Sequence, residues 1–137
     1  MGSSGVAVSP ACIEAFNRLK PERKYKYIIF NVSDGSEEIV VEKTSDDGDY
    51  GAFLKDLPKP DCRYAVHDFE YEREGKRSDL VFHVWVPDEA KIQSQVFFSS
   101  SKDALRKRLI GIAVDIQATD FTEVSYESVL KKVTRGL

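Results

Sequence analysis

The sequence has little cysteine and little histidine, two of each in 137 residues. Cys12 and Cys62 stand apart from each other and from His67 and His83. That spacing excludes a zinc finger or ribbon, so we expect two reduced, partly buried thiols and no metal site. No apolar run approaches the ~20 residues that span a bilayer. The first residues lack a basic segment followed by an apolar stretch, so no secretory signal is expected. Gly2 is followed at position 6 by Val, where a myristoylation signal has Ser or Thr. An intracellular, water-soluble protein is the expectation. An excess of positive charge is also missing: 20 Lys and Arg against 23 Asp and Glu leave a net charge of −3. Nucleic-acid binding by bulk charge is thereby excluded, and any basic binding surface must be local.

Catalytic signatures are absent as well. There is no Gly-x-x-x-x-Gly-Lys-Ser/Thr or Gly-x-Gly-x-x-Gly phosphate loop and no Gly-x-Ser-x-Gly nucleophile elbow. His67 and His83 each lie inside a predicted strand. Adjacent His67 and Asp68 point to opposite faces of it and make poor acid–base partners. The serines at 99–101 are accounted for by helix capping. No enzyme and no cofactor are expected.

What is present is enough apolar sequence, 42% of the chain, for one packed domain. Ser9-Pro10 starts a helix carrying Cys12, Ile13, Phe16 and Leu19, which Pro21 ends. Residues 25–32 read as a strand, Ser33 to Ser36 as a turn, and Glu38 to Lys43 as the returning strand. After a polar loop from Thr44 to Gly48, Asp49 caps a short helix bearing Tyr50, Phe53, Leu54 and Leu57. Arg63 to Tyr71 and Asp79 to Trp85 read as strands joined by a projecting hairpin over Glu72 to Ser78. Pro87-Asp88 makes a turn, and Ile92 to Phe98 reads as a further strand. A helix over 102–112 follows, with Ser100 and Asp103 at capping-box spacing. Val114 to Ala118 is a last short strand. Ser125 caps a final helix with Tyr126, Val129, Leu130 and Val133 on one stripe. Interleaved strands and helices predict an α/β (α+β) fold, a mixed sheet covered by helices on both faces.

On a wheel of about 100° per residue, Leu105, Leu109 and Ile112 share the face turned to the sheet. Asp103, Arg106, Lys107 and Ile110 lie outward, with Lys102 and Arg108 toward the edges. A mainly basic ridge with one apolar residue is compatible with a solvated face. It also suits a helix docking into an acidic-rimmed apolar groove. Lys131, Lys132 and Arg135 project from the final helix, where the helix dipole alone accounts for them.

These segments, read in order, resemble the actin-depolymerising factor/cofilin family, and fungal cofilins in particular. The matching residues are Ser4-Gly5-Val6-Ala7-Val8, Asp61-Cys62-Arg63-Tyr64-Ala65-Val66, Asp68-Phe69-Glu70-Tyr71, and Trp85 with Pro87-Asp88. Ser100-Ser101-Lys102-Asp103-Ala104-Leu105-Arg106-Lys107, Gln117-Ala118-Thr119-Asp120 and the Val129-Leu130 helix complete the match. The resemblance implies one actin-depolymerising factor homology domain over residues 4–135, with 1–3 as a flexible tail. It implies a monomer in the cytoplasm and actin cytoskeleton, with the nucleus as a further location. The implied activity is binding to actin monomers and filaments, then severing and depolymerisation through cooperative binding and a change of filament twist.

By the same resemblance, the actin-binding residues are Ser4, Gly5, Val6, Lys102, Asp103, Arg106 and Lys107, to which the wheel adds Ile110. Filament binding falls to Arg77, Lys131, Lys132 and Arg135. Ser4 matches a serine whose phosphorylation inhibits some relatives, with Ser3 as the neighbouring alternative. Anionic phosphoinositides would compete for Lys107, Lys131 and Lys132. Two departures remove positive charge: Gln93 and Gln95 stand in a segment where relatives carry Lys or Arg, and Asp79 stands where a basic residue is common. Lys131 restores some, replacing an acidic residue of some relatives. Two rivals are kept: a same-fold relative that binds filament sides or the branch-nucleating complex without severing, and a small histidine hydrolase.

Overall fold

The computed structural model describes residues 6–20, 24–33 and 38–135. The elements are β1 (Ala7–Val8), α1 (Pro10–Leu19), β2 (Tyr27–Val32), β3 (Glu38–Ser45), α2 (Tyr50–Lys55), β4 (Arg63–Glu72), β5 (Lys76–Trp85), α3 (Ile92–Arg106), β6 (Val114–Ala118) and α4 (Tyr126–Thr134). The strands form one sheet in the order β1-β3-β2-β4-β5-β6. The inner pairs are antiparallel, whereas β1 on β3 and β6 on β5 are parallel. This is the mixed sheet that the sequence predicts.

Both faces of the sheet are buried, and the two-residue period of a strand divides the side chains between them. Ile28, Phe30, Tyr64, Val66, Phe82 and Val84 pack under α1 and α3. Tyr27, Ile29, Ala65, Phe69, Val81 and Trp85 pack with Phe53 of α2 and with Val129 and Val133 of α4. The central strands consequently read as nearly continuous apolar runs. The caps are as predicted: the side chains of Ser9, Asp49 and Ser125 accept from the amides of Ala11, Gly51 and Ser128.

The structure corrects several expectations. Ile92 to Phe98 is not a strand but the first half of α3, which begins at Ile92 rather than Lys102 and ends at Arg106 rather than Ile112. The alternation of Ile92, Ser94, Val96 and Phe98 imitates a strand, and a short apolar run is ambiguous by periodicity alone. Ser100 therefore lies inside the helix, its hydroxyl donating to the Phe97 carbonyl at 3.3 Å, and is not a cap. The cap position is Lys91, with no side-chain bond. Strand β3 runs on to Ser45, and β2 starts only at Tyr27. The hairpin is tight: β4 and β5 pair as far as Glu72 and Lys76, with Glu74 (φ 56°) and Gly75 (φ 109°) turning the chain. Pro21 and Asp34-Gly35-Ser36 fall outside the described residues.

Candidate functional site

Helix α3 connects β5 to its parallel neighbour β6. Its inner face carries Phe98, Ser101, Ala104 and Leu105, all buried. The Tyr64 hydroxyl, rising from β4, donates to the Phe98 carbonyl at 2.7 Å and pins the middle of the helix to the sheet. At its start, the Gln95 amide donates to the carbonyls of Ala90 at 2.8 Å and Asp88 at 3.4 Å. That bracing binds the 87–91 turn to the first helical turn, where no capping side chain helps.

The outer face is apolar at one end and charged at the other. Ile92 is 71% exposed and Val96 62%. At about 100° per residue they fall on the same side of the helix as Asp103 and Lys107, opposite the buried face. Asp103 and Lys107 are exposed. The chain then leaves the helix through a turn in which Leu109 is buried and Ile110 is 72% exposed. Monomeric proteins expose single apolar residues freely. Ile92 and Val96, one turn apart at the start of the helix, form a paired apolar patch, and Ile110 stands alone beyond its charged end.

The flank toward β6 is braced. The Arg106 Nε lies 3.0 Å and 3.1 Å from the two oxygens of Asp115, and Lys102 Nζ donates to Gln117 Oε1 at 3.2 Å. The expected basic ridge is thus less basic than its sequence, because Arg106 shares its charge with Asp115. Leu105 and Leu109 are turned inward as predicted, and Ile112 is half-buried against the same core.

The histidines are placed away from any such surface. His83 is fully buried and His67 nearly so, both packed on Phe53 with ring centroids 4.9 Å and 4.7 Å away. Burial pushes the His83 imidazole down to about 3. Burial, then repulsion from His83 and Lys26, pushes His67 well below its usual range. Asp68 lies across the sheet with Lys26 Nζ at 3.8 Å, so the two neighbours do face opposite ways. Two neutral rings inside an aromatic core supply no accessible base for hydrolysis. Among the described residues, no group of three or more His, Cys, Asp or Glu is placed to hold a metal. No described helix is long and apolar enough to cross a membrane.

Comparison with known proteins gives the family. The family model for cofilin/tropomyosin-type actin-binding proteins matches residues 5–134. The cofilin of Saccharomyces cerevisiae is 54% identical, over 99% of this chain and 97% of its own length. That of Schizosaccharomyces pombe is 54% identical, over 98% and 99%. The crystal structure of a Streptomyces griseoflavus cofilin superposes with a TM-score of 0.92 at 52% identity, covering 96% of this chain and 98% of that one.

The chain belongs to the cofilin family of actin-binding proteins.

The site residues expected from the cofilin resemblance divide into groups. Lys102, Asp103, Arg106 and Lys107 lie on the second half of α3 or at its cap, with Ile110 in the turn after it. Ser4 and Gly5 lie outside the described residues. Val6 is half-buried and packs on the α1/α3 core, so it anchors the N-terminal segment at least as much as it offers a contact. Arg77 is exposed on β5 beside the hairpin, its Nε donating to the Arg73 carbonyl at 3.1 Å. Lys131 and Lys132 are exposed in the last turn of α4, and Arg135 caps it. Helix α4 covers the opposite face of the sheet from α3. It is tied toward the hairpin strand by the Tyr126 hydroxyl, which donates to the Glu70 carbonyl at 2.9 Å.

The departures also gain structural meaning. Gln95 does bracing work that a Lys could not do in the same way, because it donates in place at the helix start. Asp79 accepts the Tyr71 hydroxyl at 2.8 Å, which ties the carboxylate to the sheet. Sequence reasoning missed Ile92 and Val96 as surface residues. Their i, i+4 spacing was visible, but only a helix started ten residues earlier would have turned it outward.

Proposed function

We propose that this cofilin-family chain binds actin monomers and filaments through the outer face of α3 and the turn after it, and that it severs and depolymerises filaments. The observation that carries the reading is the placement of Ile92, Val96, Asp103 and Lys107 on the side of α3 and its cap opposite the buried one, with Ile110 exposed in the turn that follows. Fully burying a Val or Ile side chain is worth roughly 1.5–3 kcal/mol. An apolar pair at one end of the helix, charges along the other and an exposed Ile in the turn beyond suit an apolar cleft with an acidic rim.

Severing needs no bond chemistry. A ligand shifts a conformational equilibrium only through its differential affinity for the two states. If this protein prefers an altered filament twist, its binding drives that twist, and boundaries between decorated and bare segments break. Arg77, Lys131, Lys132 and Arg135 supply the additional filament contacts in this reading, and the protein acts as a monomer. Exposed Lys107, Lys131 and Lys132 also attract phosphoinositide headgroups, in salt-sensitive competition with actin. A phosphate on Ser4 would add roughly −1.5 to −2 charges near neutral pH and oppose docking on an acidic rim. Unchanged actin affinity in Ser4→Asp would reject that switch.

Filament co-sedimentation beside imaging of filament breakage tests the main reading, comparing wild type with the Arg106→Ala/Lys107→Ala double variant. Reduced binding and reduced breakage are expected. Full binding by the double variant would reject the charged half of the surface. Wild-type binding without added breakage would reject severing alone.

A further inference from the structure

The turn that carries Ile110 is fastened to an element ninety residues away in the chain. Lys20 closes α1 and extends its side chain to the Ile110 carbonyl, with Nζ to oxygen at 3.0 Å. That carbonyl belongs to the turn after α3, four residues beyond Arg106, where no helical partner is on offer. The Lys20 ammonium supplies the donor that this turn carbonyl accepts.

Gly111 fits the same arrangement. Its φ of +101° lies in the left-handed region that disfavours any residue with a Cβ. A Cβ built there would collide with the Lys20 ammonium and lie 2.7 Å from Lys20 Cε. The space a side chain would occupy at 111 is the space through which Lys20 reaches its acceptor. Asp68 and Asp79 line the same small cavity as Lys20 and Gly111, and their carboxylates favour a cation there. On either side the turn is held separately: Leu109 is buried in the α1/α3 core, and the Ala113 amide donates to the Leu80 carbonyl at 2.9 Å. Between these two anchors, the Lys20 bond to the Ile110 carbonyl is a third hold on the turn.

We infer that Lys20 is a positioning residue for actin docking, acting through the Ile110 turn rather than by touching actin. The inference rests on the reading of α3 and Ile110 as the docking surface. It extends that surface's support to the C-terminal end of α1, which carries none of the residues expected to bind.

Equilibrium binding to actin monomers and filaments tests it with four single variants of the full chain and two double variants. Lys20→Met keeps the aliphatic stem and removes the donor; affinity falls about three- to tenfold. Lys20→Arg, which can still donate, recovers most of that loss. Ile110→Ser weakens binding by itself, and adding Lys20→Met to it causes no further loss. Gly111→Ala displaces the ammonium and also strains the turn, so it loses at least as much affinity as Lys20→Met, and adding Lys20→Met to it costs nothing further. Thermal melts confirm that each variant is folded at the assay temperature.

An undiminished affinity in Lys20→Met overturns the inference. So does a Lys20→Met loss that persists in the Ile110→Ser background, since that would make Lys20 a direct contact. If Ile110→Ser binds as wild type does, the docking role of Ile110 falls, and the positioning role with it. If Ile110→Ser is weakened while Lys20→Met is not, only the role of Lys20 falls.

Discussion

Arg106 and Asp115 face each other across the junction of α3 and β6, the guanidinium Nε within 3.0 Å and 3.1 Å of the two carboxylate oxygens. Their side chains are 32% and 53% exposed. A pair this open to solvent contributes only ~0–1 kcal/mol to stability. Its larger effect is on the surface charge offered to a partner. Arg106→Ala should lower actin affinity about three- to tenfold, whereas Asp115→Asn, which unmasks the guanidinium, should leave it equal or higher. Co-sedimentation at low and high salt separates the two. Equal losses in both variants would mean that the pair serves to hold β6 and makes no contact with actin.

The apolar half of α3 gives a cleaner test. Ile92 and Val96 are mostly exposed, so Val96→Asp should change stability by no more than about 0.5 kcal/mol. Its actin affinity should nonetheless fall by about tenfold or more, because a carboxylate would be buried in the complex. Leu105→Ala, on the fully buried opposite face, should do the reverse. It should cost about 2–5 kcal/mol of folding stability and affect binding only through the folded fraction. Chemical denaturation beside a binding titration reads both quantities.

The buried histidines make stability depend on pH. In the unfolded chain an imidazole takes up its proton near pH 6.5. In the folded protein His83 is pushed down to about 3, and His67 is pushed the same way. The unfolded state therefore binds more protons in this window. The contribution is complete above about pH 6.5 and is lost as the pH falls toward 3, at up to about 1.4 kcal/mol per pH unit for each histidine. Urea midpoints measured between about pH 7 and pH 4.5 should fall steeply. The slope should be shallower in His83→Leu. An unchanged slope in that variant would remove His83 from the account.

The two lysines of the last turn of α4 lie on the far face of the sheet from α3. Lys131→Gln/Lys132→Gln should weaken filament binding while leaving monomer affinity nearly unchanged, as titrations against each form of actin would register. Equal weakening of both would show a general electrostatic attraction in place of a second contact.

The strands were legible where burial on both faces made them continuous apolar runs, as in Tyr27 to Val32 and Asp79 to Trp85. The helices were legible where a cap and an inward stripe coincided, as with Ser9-Pro10 before Cys12 and Phe16. Helix α3 was misplaced because its first half breaks both rules. Lys91 gives no cap signal, and Ile92 and Val96 are apolar residues facing outward, which hides the amphipathic period. That same violation marks the surface proposed to dock: apolar side chains kept in water are what a docking helix needs and a folding helix does not. The charges of Arg106 and Lys102 were read from sequence, but their partners Asp115 and Gln117 on β6 were not. Pairing across two elements depends on how the helix lies over the sheet, and nothing local in either segment encodes it. The bond from Lys20 to Ile110 was invisible for the same reason.

Parallel neighbours in a sheet cannot be joined by a hairpin; the chain must travel back over the surface to begin the second strand. Here that return journey is α3 itself. The pairing of β5 with β6 therefore rests on contacts distant in sequence, the kind that slow folding. Whatever grips the outer face of α3 holds the strap that closes the sheet at its rim. The helix proposed to dock on actin is thus also the connection on which the edge strand of the sheet depends.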